Sequence, residues 1–310
     1  MSESQELIKL KQRKRRLLHE NFIAAIYLLP VFLFLSAFML YPIINSGYIS
    51  FFKWNGISKK TFIGFENFIR IVQDEYFYQS LLNNILIGIS AIVFQVFIGV
   101  IIAYFLVKIT QKVQKPFMFL YLIPMVVSEI CIGLLWGFIY NPYFGLLNGF
   151  LNSIGFQNLT IGWLGNPNTA FIAVVFTMNF TYLGLYVLLF VNAIQNIPSA
   201  IFDAAMVDGA GAVKTFFNVV IPMTWDTMVS NMLLCIVSSF KTFSIIFVLT
   251  CGGPNHASEV ISTYLYKMGF NTFQMGYGST IGFVQIILTA LAGILVMRTM
   301  NKSKRNKAYN

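Results

Sequence analysis

Two ionisable residues lie inside apolar stretches of the sequence and are the first candidates for chemistry. Lys241 stands among hydroxyl side chains in the segment SSFKTF, and Glu129 interrupts the apolar run 117–140. A charged side chain at the centre of a membrane-spanning helix costs about 2.5–3.5 kcal/mol, so such a residue is a functional candidate by default. The hydroxyl groups beside Lys241 could line a hydrated path for a polar solute.

No catalytic or metal-binding pattern accompanies these two residues. The histidines, His19 and His256, and the cysteines, Cys131, Cys235 and Cys251, are too few and too scattered for a metal site or a disulfide framework. The phosphate-binding pattern GxxxxGK[ST] does not occur. We therefore expect no catalytic residue, no metal and no cofactor on this chain, and a membrane-embedded enzyme is the weaker alternative.

The composition excludes a water-soluble domain. Only 10% of the 310 residues are charged and 57% are hydrophobic, whereas soluble domains carry about 25% charge. The mean hydropathy is +0.72. These values also exclude a disordered chain and a secreted disulfide scaffold, and they are typical of an integral membrane protein.

Six apolar stretches are long enough to cross a membrane, which takes about 20 residues per helix. They cover about 22–44, 81–107, 117–140, 169–194, 225–249 and 280–297. The Asn- and Gly-rich stretch 141–168 predicts a loop with short helical pieces. We predict an all-α integral membrane protein with one transmembrane domain, 21–300, between basic tails at 1–20 and 301–310.

The basic residues concentrate on one predicted side of the membrane. Fifteen of the 21 lysines and arginines fall in the two tails, at Arg298 just before the second tail, in the loop 108–115 and in the loop that contains Lys214. By the positive-inside rule this side is cytoplasmic, and so are both termini. The net charge of +10 then reflects orientation and attraction to anionic membrane lipid. We expect no nucleic acid as a partner, because no recognition element accompanies the tails.

The connection between the fourth and fifth predicted spans differs from the others. It runs from Ile197 to Pro222, although a connector needs only a few residues. Pro198 and the alanines that follow it favour a helix, which Gly209 and Gly211 should end. A second short helix should follow until Pro222. We predict a helix–turn–helix whose small residues allow another protein surface to approach closely.

This loop resembles a known family motif. DAAMVDGAGAVKTFFNVVIP (203–222) is similar to the "EAA" loop of the membrane-spanning subunits of ABC importers, with Asp203 in place of the usual Glu and Val219 in place of the usual Ile. The segments LTCGGP (249–254) and GYGSTIGF (276–283) resemble the carbohydrate-uptake branch, which includes maltose, multiple-sugar and glycerol-3-phosphate importers. The similarity covers nearly the whole chain.

The resemblance implies a type I ABC importer permease in a bacterial or archaeal cell membrane. Such a subunit pairs with a second homologous permease and with a dimeric ATPase that hydrolyses ATP, and it accepts sugar from an extracellular solute-binding protein. By this mapping the loop is the coupling element. The residues expected to couple to the ATPase are Asp203, Ala204, Ala205, Asp208, Gly209, Ala210, Phe216 and Pro222.

The resemblance also implies a substrate path through the fourth and fifth spans. Sugars are bound by hydrogen bonds to hydroxyl groups and by an aromatic face under the ring. The residues expected to line the path are Tyr182, Gly184, Tyr186, Ser238, Ser239, Phe240, Lys241, Thr242 and Glu129. Two alternatives stay open for these side chains: the hydroxyl groups join helices together, or Lys241 and Glu129 form an ion pair between helices.

The outer loops are expected to meet the solute-binding protein. Gly252, Gly253 and Pro254 have turn chemistry that suits an exposed contact loop, and the stretch 45–80 is longer and of mixed charge. Which sugar moves stays open, and a polyol phosphate such as glycerol 3-phosphate is an alternative. A gradient-driven secondary transporter is another, although such proteins often have internal repeats and more spans.

Overall fold

The computed structural model describes residues 25–307, with side chains described as far as residue 298. The chain is almost entirely helical. In order, the helices are α1 (Ala25–Ile49), α2 (Glu66–Val72), α3 (Glu75–Lys108), α4 (Gln111–Val126), α5 (Glu129–Ile139), α6 (Leu146–Ser153), α7 (Pro167–Gln195), α8 (Ser199–Val207), α9 (Ala212–Met223), α10 (Trp225–Lys241), α11 (Ser244–Thr250), α12 (Ile261–Tyr266) and α13 (Met275–Lys307).

Several of these helices contain a wider, π-helical turn. Such turns lie at Ser36–Leu40 in α1, Ile92–Ile98 in α3 and Phe216–Val220 in α9, and Lys267–Asn271 extends α12. A single 3₁₀ turn, Gln157–Leu159, follows α6.

Four of the predicted spans fall on single long helices, namely α1, α3, α7 and the apolar part of α13. The tail 1–20 and the first residues of the first span lie outside the described residues, as do the side chains of the tail 301–310. The stretch 141–168 contains only α6 and the 3₁₀ turn, in agreement with the predicted loop.

The prediction of one continuous helix over 117–140 is wrong. The chain breaks at Val127 and Ser128, which have extended backbone, and α5 turns away from α4 by 97°. Pro124 lacks an amide hydrogen in the last turn of α4. Ser128 is the N-cap residue of α5 but makes no side-chain cap hydrogen bond, and its carbonyl accepts the first bond of the helix, from Ile132 N at 3.0 Å.

The prediction of one helix over 225–249 is also wrong. α10 ends at Lys241, Thr242 has extended backbone, and α11 begins at Ser244. At its other end α10 meets α9 at Thr224 with a bend of 70°. α9 ends at Met223, one residue after the predicted end at Pro222, and a π-helical turn precedes this proline.

α3 lies at the centre of the packing. It packs against α7 and α10, while α4 packs on α7 and α5 on α11. α13 packs on α10 and on α1, where a Cβ on Gly47 would lie 2.9 Å from the Phe283 ring. Over the most apolar 18 residues of α1, none is buried within this chain.

The segment between α1 and α3 carries the one departure from an all-helical fold among the described residues. Two short antiparallel strands, β1 (Phe52–Lys53) and β2 (Thr61–Phe62), form a hairpin. The Asn55 side chain accepts hydrogen bonds from the amides of Ile57 and Ser58, at 3.0 and 2.8 Å, and closes the connection. Gly56 has a φ of +96°, which glycine adopts without strain.

We predict that Gly184→Ala destabilises the protein. A Cβ at this position would lie 1.9 Å from the Tyr121 carbonyl oxygen, so α4 and α7 would have to move apart. Overpacking of this kind costs about 1–3 kcal/mol, and thermal unfolding of the purified protein should show a lower Tm. Gly137→Ala is the control, since a Cβ there meets no atom within 4 Å. An unchanged Tm for Gly184→Ala would contradict this close approach.

Candidate functional site

A cavity of about 290 Å³, with both polar and apolar side chains in its walls, lies between the two helix breaks. Its walls come from α3, α4, α5, α7, α10 and α11. The predicted path residues that line it are Tyr182, Tyr186, Ser238, Ser239, Lys241, Thr242 and Glu129.

Both ionisable candidates sit at helix ends rather than in the middle of a crossing. Glu129 is the first residue of α5 and Lys241 is the last residue of α10. The positive end of a helix dipole favours a carboxylate, and the negative end favours an ammonium group. The breaks therefore reduce the cost of placing both charges beside the cavity.

Glu129 bonds to a tyrosine and not to the lysine. The Tyr182 hydroxyl donates a hydrogen bond to Glu129 Oε1, which joins α7 to α5. The ion pairs among the described residues do not join Glu129 to Lys241. The alternative of an ion pair between these two residues is therefore not what the structure shows.

Two predicted path residues lie elsewhere. Phe240 is buried in a separate apolar cluster with Phe77 and Tyr264. Its expected place at the cavity is taken by Phe243. Gly184 faces the α4 backbone and serves close packing.

Sequence reasoning missed an amide network in the cavity wall. Gln95 Nε2 donates to Asn179 Oδ1 at 3.2 Å, and Asn179 Nδ2 donates to Ser90 Oγ at 3.2 Å. Cys235 Sγ lies 3.5 Å from Gln95 Oε1. The prediction of the substrate path followed charged residues. The sequence signal that could have identified this network is one uncharged amide residue inside each of two predicted spans.

The predicted helix–turn–helix is present at residues 199–223. α8 ends in two backbone bonds, from Gly209 N to Met206 O at 3.0 Å and from Ala210 N to Ala205 O at 2.9 Å. This pair of bonds is a Schellman motif, which needs a left-handed residue after the helix. Gly209 supplies it with a φ of +70°.

The exposed face of α8 is apolar with an acidic edge. Met206 and Val207 are 74% and 88% exposed, and Asp203, Ala204 and Asp208 are exposed beside them. Ala205 and Ala210 are half-buried, and Pro222 is exposed at the far end of α9.

Phe216 faces inward instead. Its ring lies 5.2 Å from the ring of Tyr104 on α3, and the Tyr104 hydroxyl donates to the Ala212 carbonyl at 2.8 Å. Phe216 and Tyr104 therefore attach the start of α9 to the end of α3.

The expected contact loop at 251–260 is only partly exposed. Gly252 is buried, and it packs so closely that a Cβ there would lie 3.1 Å from the Glu259 carboxyl group. Gly253 and Pro254 are half-buried, while Cys251 and Asn255 are exposed, and contact of this loop with a solute-binding protein stays a prediction.

A buried carboxylate holds this loop in place. Glu259 is 1% exposed, and its Oε2 contacts His256 Nδ1 and lies 3.7 Å from Lys267 Nζ. Burial raises the pKa of Glu259, while Lys267 and His256 act in the opposite direction. Among the described residues, no group of three or more His, Cys, Asp or Glu side chains could hold a metal ion.

Comparison with known proteins identifies related chains. The family described as "Binding-protein-dependent transport system inner membrane component" matches residues 95–304. The probable ABC transporter permease protein YurN of Bacillus subtilis is 38% identical over 281 residues, which cover 90% of this chain and 96% of YurN. The sulfoquinovosyl glycerol transport system permease protein SmoG of Agrobacterium fabrum is 28% identical and covers 91% of each chain.

A solved structure shares the fold. The bacterial alginate ABC transporter, in complex with an alginate pentasaccharide-bound periplasmic protein, contains a chain with a TM-score of 0.80 and 18% identity. The match covers 91% of this chain and 94% of that chain.

We predict that Glu129 is energetically coupled to Tyr182 but not to Lys241. In double-mutant cycles on thermal unfolding, Glu129→Gln with Tyr182→Phe should deviate from additivity by about 0.5–3 kcal/mol. Glu129→Gln with Lys241→Gln should deviate less from additivity, because no hydrogen bond or ion pair joins these two side chains among the described residues. The opposite ranking would restore the ion pair between these two residues.

Proposed function

The chain belongs to the family of binding-protein-dependent transport system inner membrane components, and from this premise we propose that it is a membrane-spanning subunit of an ATP-driven sugar importer. The observation that carries the proposal is the pairing of two features on one chain. A polar cavity lies among interrupted spans, and a separate exposed helix–turn–helix is attached to the same helices.

The proposed topology has six crossings with both termini in the cytoplasm. It treats α4 with α5, and α9 with α10, as two bent crossings beside the four long helices. The distribution of basic residues supports this orientation. α8 then faces the cytoplasm, and the loop 251–260 faces the outside.

The proposed coupling element is α8 with its turn. Its exposed apolar side chains and acidic edge suit insertion into a groove of a partner, and a short rigid helix can transmit a displacement. The proposed partner there is a dimeric ATPase that hydrolyses ATP, so the chain itself is a non-hydrolytic permease. ATP-driven closure of that dimer would bias a two-state arrangement of the membrane helices.

Two further protein partners complete the proposed complex. The unburied apolar sides of α1 suit contact with a second homologous permease and with membrane lipid. An extracellular solute-binding protein would dock on the outer segments, as the periplasmic protein accompanies the alginate transporter.

The proposed cargo is a sugar, and its size stays open. The hydroxyl and amide groups of the cavity match the hydroxyl groups of a sugar, and Tyr182, Tyr186 and Phe243 supply aromatic rings. The cargoes for which the relatives are named, a sulfoquinovosyl glycerol and alginate, support this choice. Lys241, which has no ion pair among the described residues, favours an anionic solute such as a polyol phosphate as the second candidate.

Reconstitution into liposomes tests the proposed function. Uptake of radiolabelled sugar should require the second permease, the ATPase, ATP and the solute-binding protein together. Omission of ATP is the control. Uptake driven by an ion gradient with this chain alone would refute the proposal in favour of a secondary transporter.

We predict that Gly209→Pro abolishes uptake while the complex still assembles. Proline requires a φ of about −65°, whereas Gly209 has a φ of +70°, so the turn after α8 could not close. Gly211→Pro is the matched control, because Gly211 already has a φ of −68°. Uptake and co-purification with the ATPase are measured for both variants, and normal uptake by Gly209→Pro would remove α8 as the coupling element.

A further inference from the structure

The break after Lys241 leaves carbonyl groups of α10 without helical partners. The last four carbonyls of a helix have no amide of their own helix to bond to, and a buried one must find another donor. In hydrocarbon an unsatisfied backbone group costs several kcal/mol. The break is therefore stable only where side chains from elsewhere donate hydrogen bonds to these carbonyls.

The side-chain amides of two residues on other helices supply donors for two of these carbonyls. Asn84 Nδ2 on α3 donates to the Ser239 carbonyl at 2.5 Å. Gln285 Nε2 on α13 donates to the Phe240 carbonyl and also to Ser262 Oγ at 2.9 Å. Ser239 lines the cavity, and Lys241 follows two residues later.

Asn84 also holds the start of α12. Its Oδ1 accepts a hydrogen bond from Ile261 N at 2.9 Å. An amide donor on one side and a carbonyl acceptor on the other fix the orientation of this side chain, because only one assignment of its oxygen and nitrogen satisfies both. Asn84 is fully buried.

The neighbouring asparagine binds the same outer segment. Asn83 Nδ2 donates to the carbonyls of Ala257 and Glu259, at 3.1 and 2.8 Å. Asn83 and Asn84 together therefore tie the segment 257–261 to α3, and Asn84 extends the connection to the broken end of α10.

A close helix contact reinforces this junction. Gly88 lies one turn after Asn84 on α3, and a Cβ there would lie 2.9 Å from Ser239 Oγ. α3 therefore fits closely against the last turn of α10 at Ser239, and little free space is left between the two helices.

The geometry points to Asn84 as a positioning residue that transmits movement of the outer segment 257–261 to the cavity wall at Ser239 and Lys241. The inference rests on the proposed function, in which the solute-binding protein docks beside this segment. Displacement of the segment pulls on the Ile261 amide, and the same side chain moves the Ser239 carbonyl. Gln285 holds the next carbonyl and keeps the broken end ordered.

The test compares ATP hydrolysis by the complete reconstituted complex without and with its solute-binding protein, carrying the sugar with which it purifies. In Asn84→Leu we expect the stimulation by this protein to fall about tenfold, within the range typical of coupling between two sites. Asn231→Leu is the matched control. Asn231 on α10 is also a buried asparagine, but its Nδ2 has no hydrogen-bond partner among the described residues, so the stimulation of this variant should remain.

A second pair of variants covers the case in which Asn84→Leu does not assemble. Gly88→Ala should also reduce the stimulation, because its Cβ would displace Ser239. Gly99→Ala on the same helix should not, since its Cβ would be 3.7 Å from the nearest atom. Equal stimulation in Gly88→Ala and Gly99→Ala would overturn the inference.

Each remaining outcome has a fixed meaning. If Asn84→Leu loses basal and stimulated hydrolysis in the same proportion, its role is structural and the inference is wrong. A wild-type complex that the solute-binding protein fails to stimulate would count against the proposed function itself. Wild-type stimulation that Asn84→Leu retains would overturn only the role of Asn84.

Discussion

A helix inside hydrocarbon has no water to replace a lost backbone hydrogen bond, and the interior of this molecule depends on that constraint. The chain nevertheless interrupts two of its predicted spans, at 127–128 and at 242–243. At the second interruption, the amides of Asn84 and Gln285 take the place of the missing helical donors. These donors come from α3 and α13, so the break in α10 is a property of the packed bundle and not of its own sequence.

The breaks and the polar cavity are one structural feature. A polar cavity inside a membrane needs groups that can bond to a solute, and helix ends offer them along with a dipole that favours charge. Glu129 and Lys241 occupy two such ends on the same cavity. The amides Gln95 and Asn179 bond to each other across α3 and α7, so the cavity wall is held together by the same kind of group that lines it.

The sequence predicted those parts of the fold that depend only on local properties of the chain. Apolar length located α1, α3, α7 and α13, and the glycine at 209 marked the turn after α8, because a left-handed φ is a requirement of a single residue. The length and mean hydropathy of the two spans did not reveal the breaks, although polar residues stand beside each one, Ser128 and Glu129 at the first and Lys241 and Thr242 at the second. Phe240 and Gly184 were assigned to the path, although packing places Phe240 in a core cluster and Gly184 against the backbone of α4, and such contacts between helices cannot be read from one span alone.

α3 connects the regions that a transport cycle has to coordinate. At one end Tyr104 bonds to Ala212, directly after the turn that follows α8. Twenty residues earlier, about 30 Å along a helix, Asn84 bonds to the outer segment and to the end of α10. The π-helical turn Ile92–Ile98 lies between them and carries Gln95, which lines the cavity. One helix therefore makes all three contacts, and in the proposed function it joins the two ends of the molecule to the cavity wall without a loop between them.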